Sequence, residues 1–213
     1  FNLNFNLGGK PGTVPATLGL LFTFTALSGE LGDFDTLPDN WIVEWEHLVG
    51  AATALDRARR IDTRLVEPLF TLPKLDGKPL PGDAGRLAVR NLLRGYLLRM
   101  PTGQAVSHVL GIAPLTPDEI TAAVPPQQAA ILAPAGFLER TPLWFYLLAE
   151  ASHHSGGEHL GPVGSTIVAE VLAECVRRSD DSILAIAGWT PTLGTTQGQF
   201  ELADLLRLAG VLA

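Results

Sequence analysis

The chain has 213 residues, of which 46% are apolar, so a sizeable core can be buried. Only 17% are charged, against roughly 25% in ordinary soluble domains. The formal net charge of −7 argues against general nucleic-acid binding, which calls for a basic surface, and the single cysteine excludes an internal disulfide framework or a multi-cysteine metal site. Phe1-Asn2-Leu3-Asn4-Phe5-Asn6 carries neither an initiator Met nor the basic-then-apolar pattern of a signal peptide. A removed leader, or excision from a longer polypeptide, is therefore expected. Residues 1–36 read as irregular chain around one apolar element. That element, Val14 to Leu27, is interrupted by Pro15, Gly19 and threonines. It is shorter than the roughly 20 apolar residues of a membrane-spanning helix, and no transmembrane segment is expected.

Asp39-Asn40 offers an N-cap to a helix whose Trp41, Trp45, Leu48 and Val49 recur at helical spacing. A second helix is predicted from Leu55 to Phe70, where arginines alternate with Ile61, Leu65 and Leu69. Pro73 to Gly85 is a proline- and glycine-rich loop. Arg86 to Met100 is a strong helix stopped by Pro101 and Gly103, and Gln104 to Leu110 continues it. Thr116-Pro117-Asp118-Glu119 is a capping box with proline at the first helical position. Thr141-Pro142 opens a helix from Leu143 to Ala151, followed by a polar turn containing His153 and His154. Ser165 to Arg178 is the best helix of the chain, with Ile167, Val171 and Val176 on its buried side and Cys175 inside it as a small core residue. A last helix runs from Thr196 to Leu208. Strand signals are weak, and the expected fold is mainly α, as one unit.

Chemistry concentrates on the helix after Arg86. Arg86, Arg90 and Arg94 lie four apart and put guanidinium groups on one helical face, an arrangement suited to a carboxylate or phosphate ligand. The same spacing also describes a solvated face making salt bridges with some of the 22 acidic residues. The histidines at 153, 154 and 159 lack the i, i+4 spacing of helical metal ligands. His47 and His108 have no partner in sequence. Gly161-Pro162-Val163-Gly164-Ser165 could hold an anion at a helix N-terminus, or could be a tight turn feeding a buried helix. Nucleophile-elbow, P-loop and dinucleotide-binding motifs are absent.

Three ordered blocks resemble the C-terminal half of the animal-type haem peroxidase superfamily, particularly its bacterial members. The first is the tryptophan-bearing helix and charged stretch from Trp41 to Leu72. The second is Leu87-Ala88-Val89-Arg90-Asn91-Leu92-Leu93-Arg94-Gly95 with Met100-Pro101-Thr102-Gly103. It is similar to the family helix Leu-x-x-x-Asn-x-x-Arg-(Gly/Ser) and the turn beyond it. The third is Leu160-Gly161-Pro162-Val163-Gly164 and the helix it opens.

The resemblance implies an irregular, mainly α haem peroxidase-like domain, of which residues 1–213 form the C-terminal part. It implies haem as cofactor and reduction of hydrogen peroxide at the expense of a further reducing substrate. Asn91 would hold the proximal histidine in one tautomer, Arg94 would pair with a haem propionate, and Leu87 would line the apolar wall beside the ring. No histidine of this chain matches the iron ligand, which the resemblance places in an N-terminal part of the same protein. This chain alone is not expected to be active. The family's Arg-Asp-His-Gly stretch is replaced by Tyr96-Leu97-Leu98-Arg99. Fatty-acid dioxygenases share the scaffold and depend on a tyrosine near haem. A helical interaction module that has lost haem would also explain the altered motif.

Overall fold

A computed structural model describes residues 4–5, 14–15, 45, 48–49, 58–74 and 78–212. Within these, the chain is mainly α-helical, as expected from sequence, and the only sheet is the antiparallel pair β1 (Asn4–Phe5) and β2 (Val14–Pro15). No described helix is long and apolar enough to cross a membrane. The chain divides into two compact units. One joins Arg59–Leu72 to Pro81–Ser182, and the other comprises Phe1–Ala58, Pro73–Leu80 and Ile183–Ala213.

The larger unit holds six helices: α1 (Leu87–Leu97), α2 (Gly103–Leu110), α3 (Pro117–Ala122), α4 (Pro126–Leu132), α5 (Leu143–Ser155) and α6 (Pro162–Arg178). Helix α5 is its centre and packs against α1, α2, α3 and α6. The reason lies in its sequence, Leu-Trp-Phe-Tyr-Leu-Leu-Ala-Glu-Ala, which is apolar nearly all round, so every face seeks cover. Tyr146 and Ala149 join Leu115, Ile120, Val124, Leu132 and Val163 in the buried core.

Local signals set most boundaries. At α3 the expected capping box is complete: the Thr116 hydroxyl accepts from the Glu119 N–H, and the Glu119 carboxylate accepts from the Thr116 N–H at 2.7 Å. Helix α2 is capped by Thr102, whose hydroxyl accepts from the Ala105 N–H. Helix α1 ends in a Schellman turn, with the Met100 N–H donating to the Gly95 carbonyl and the Arg99 N–H to that of Tyr96. Its left-handed position is held by Arg99, at φ 53°. The stretch where the resemblance fails, Tyr96 to Arg99, is thus the turn that stops the helix.

Several expectations need correction. Residues 58–66 are extended or bent, and only a 3-10 turn, Glu67–Phe70, follows. The segment is tied elsewhere in the unit: the Ile61 backbone N–H donates to Gly157 O at 2.8 Å, and the Thr63 side-chain hydroxyl donates to Ala123 O at 3.1 Å. Asp62 adds a local turn by accepting from the Arg64 N–H. Helix α5 runs on through His153 and His154, which therefore lie in its last turn, and Gly156 caps it in the left-handed conformation. Beyond Ile167, α6 is largely exposed, and Val171, Cys175 and Val176 face solvent. The helix predicted from Trp41 lies mostly outside the described residues. Trp45, Leu48 and Val49 carry one helical turn of it.

In the smaller unit, α7 (Leu202–Leu208) starts later than predicted. Asp204 is buried and collects the Thr195 N–H and hydroxyl and the Glu201 N–H. These hydrogen bonds, the Glu201 N–H first, hold its carboxyl below the ordinary carboxylate range.

Candidate functional site

Leu87, Asn91 and Arg94 occupy one stripe of α1, since their spacing returns to the same face every turn. Leu87 and Asn91 are half-buried and Arg94 is exposed. The Asn91 amide makes no hydrogen bond, and Arg94 no ion pair, among the described residues. Both polar groups are thus unclaimed by their own unit. The arginine face expected from sequence is reduced to Arg90 and Arg94. Arg86 is the non-helical N-cap residue and pairs with Asp83 at 3.6 Å. The C-terminal end of α1 exposes Leu93, Tyr96, Leu97 and Leu98, an apolar surface next to Arg94.

The next stripe of α1, Ala88 and Leu92, faces a cavity of about 310 Å³. Phe70, Trp144 and Phe145 supply aromatic walls, and Arg64 and Gln128 supply polar groups. None of Leu87, Asn91 and Arg94 lines it. The stripe and the cavity are separate features of one helix.

Of the two readings of Gly161–Ser165, an anion at the N-terminus of α6 is realised, and it belongs to the protein. Glu150, only 1% exposed, projects from α5 and accepts the Val163 N–H at 3.0 and 3.1 Å and the Gly164 N–H at 3.1 Å. A helix N-terminus carries partial positive charge and unpaired donors, and a buried carboxylate satisfies both. The same contact explains Gly161, where a Cβ would fall 2.3 Å from the Glu150 side chain. Sequence reading missed Glu150. Its one available signal was an acid alone in an apolar run, thirteen and fourteen residues before the donors it meets.

The remaining polar candidates are also engaged internally. The Tyr146 hydroxyl accepts from the Leu115 N–H at 2.9 Å and lies 3.0 Å from the Ser107 hydroxyl. His153 Nε2 lies 3.3 Å from Glu119 Oε1, tying α5 to α3, and packs edge-on against His154. Hydrogen bonds from the Thr116 N–H and then its hydroxyl hold the Glu119 carboxyl below its usual value, with a smaller contribution from His153. His108 is exposed, and His47 lies outside the described residues. Among the described residues there is no cluster of His, Cys, Asp or Glu able to hold a metal ion.

No family model, curated protein or solved structure matches this chain.

Proposed function

We propose that this chain is the C-terminal part of a haem peroxidase-like domain and that α1 is its cofactor-facing helix. The observation that carries the reading is the half-buried, unpartnered amide of Asn91 on the same stripe as Leu87 and the unpaired Arg94. Neither group is held by the protein, so both keep hydrogen-bonding capacity for a ligand. An amide and a guanidinium left open beside an apolar residue suit a ligand with an apolar face and acid tails. Haem has both, so the residues present fit the group.

In that role Arg94 binds a propionate through its fork of donors. Asn91 would accept the N–H of a histidine supplied by the N-terminal part of the protein, fixing its tautomer and orientation. Leu87 keeps water from the ring face. The group itself supplies the redox chemistry by which hydrogen peroxide is reduced at the expense of a second substrate. The exposed apolar end of α1 suits coverage by that same N-terminal part. The Tyr146 hydroxyl is committed to Ser107 and Leu115, which counts against that residue as the tyrosine of a dioxygenase.

The test is the visible absorption spectrum of the longest native polypeptide containing this chain, purified with haem supplied during expression. A Soret band is expected, with Arg94→Ala weakening haem retention and Asn91→Ala shifting the iron potential. A colourless protein overturns the reading and favours the helical interaction module, in which Arg90 and Arg94 meet an acidic partner. Unaltered haem retention and potential in the variants would remove the α1 stripe from the site.

A further inference from the structure

We propose that the cavity beside α1 binds a small aromatic monocarboxylate, with its ring between Phe70, Trp144 and Phe145 and its acid group at Arg64 and Gln128. This inference is independent of the haem reading. The cavity's volume of about 310 Å³ is at the lower end of small-molecule sites, which span roughly 300–1,000 Å³. One ring with a short side chain suits that space, whereas a tetrapyrrole or a long acyl chain exceeds it. The walls are mostly apolar, and three aromatic side chains offer edge-to-face or stacked contact to a ring.

The polar part of the lining selects the charge. No acidic residue lines the cavity, although the chain carries 22 of them and a net charge of −7. Arg64 makes no ion pair among the described residues. Arg64 is exposed and lines the cavity without a counter-ion of its own, so its charge stays available to an anionic ligand. One guanidinium fork and one amide match the two oxygens of a carboxylate, while a phosphate would present more charge than these groups neutralise.

The segment carrying Arg64 is also held in place. The Arg64 N–H donates to Asp62 Oδ1 at 2.8 Å, and the Thr63 hydroxyl donates to Ala123 O at 3.1 Å. Three residues earlier, the Ile61 N–H is bonded to Gly157 O. A backbone fixed on this side keeps Arg64 at the cavity, and its exposed side chain is what the ligand has to order. These bonds are also what keep residues 58–66 out of the helix that their sequence suggests. The departure from local preference is therefore what forms one wall of the cavity.

The experiment titrates the whole chain with 3-phenylpropionate and, separately, with uncharged 3-phenylpropionamide, following tryptophan fluorescence and the heat of binding. Saturable binding of the acid is expected, with the amide weaker by about tenfold, the scale of one charge-assisted hydrogen-bonded pair. Arg64→Met keeps the apolar stem and should bring the two probes to equal affinity. Ala88→Phe fills the cavity and should abolish binding of both. Leu92→Trp, at a half-buried lining position, serves the same purpose if Ala88→Phe does not fold. No saturable binding, equal affinity of acid and amide for the parent chain, or a preference for the acid that survives Arg64→Met would each overturn the proposal. So would undiminished binding by a folded cavity-filled variant. Since no haem enters the experiment, its failure leaves the peroxidase reading standing.

Discussion

The junction of α5 with α6 and the outer stripe of α1 treat polar side chains in opposite ways. At the junction, both oxygens of Glu150 are bonded to backbone donors of α6, and the Tyr146 hydroxyl is shared between Ser107 and Leu115. On α1, Asn91 and Arg94 are similarly placed on a well-formed helix, yet their own unit supplies no partner. Burial with full pairing fixes a structure, because each lost bond leaves an unpaired group away from water. Open pairing, at half-buried Asn91 and exposed Arg94, leaves bonding capacity for something else. Removing groups from the first region should therefore damage the fold, whereas removing them from the second should leave it intact.

The largest effect is expected at Glu150. Glu150→Leu leaves the Val163 and Gly164 N–H groups buried without acceptors and should cost roughly 3–5 kcal/mol in denaturant unfolding. Glu150→Gln keeps one acceptor oxygen and should cost less. Equal stability of the leucine variant would mean that the junction is held by apolar packing alone.

Gly103→Ala comes next. Its Cβ would fall 1.9 Å from Cγ of the fully buried Tyr146 ring. The ring cannot withdraw while its hydroxyl is bonded at the far end, so a loss of about 3 kcal/mol is expected, at the upper end of overpacking costs. Calorimetric unfolding of this variant beside Gly95→Ala, where nothing lies within 4 Å, separates crowding from the general effect of removing a glycine.

A smaller, pH-dependent effect is expected at Glu119. Its folded pKa is lowered, chiefly by the Thr116 N–H and hydroxyl. Its contribution is therefore complete above the unfolded carboxylate value, about 4, and is lost as pH falls through the folded value. Melting temperatures of the parent chain and Glu119→Gln should differ at neutral pH and converge in acid. A gap that stays constant with pH would show that the capping box works without the charge.

The smallest effect belongs to α1. Asn91→Ala and Arg94→Ala should each change the stability of this chain by less than about 0.5 kcal/mol, as for surface substitutions that break no internal contact. A larger loss from either would place its side chain in the fold and remove the contrast between the two regions.

Much of the fold was legible where the signal was local. The α3 capping box, the arginine-bearing helix before Pro101 and the proline-led start of α5 all depend on residues within a few positions of one another. The candidate site was legible in part: spacing puts Asn91 one turn from Arg94 and Leu87 one turn before Asn91, while their common stripe and the loss of Arg86 from the arginine face depended on where the helix begins. Ile61, Leu65 and Leu69 recur at helical spacing, but distant carbonyls at Ala123 and Gly157 compete successfully for the donors of that segment.

The sequence by itself determined that this chain is mainly helical, where most helices start and stop, and which residues of α1 lie one turn apart. Helical periodicity and capping are short-range and can be read along the chain. Tertiary structure alone decided that Glu150 caps the end of α6, that Arg64 and Gln128 line the same aromatic cavity, and that Cys175 faces solvent. Each of these depends on what lies across a packed interface, and neighbours in space need not be neighbours in sequence.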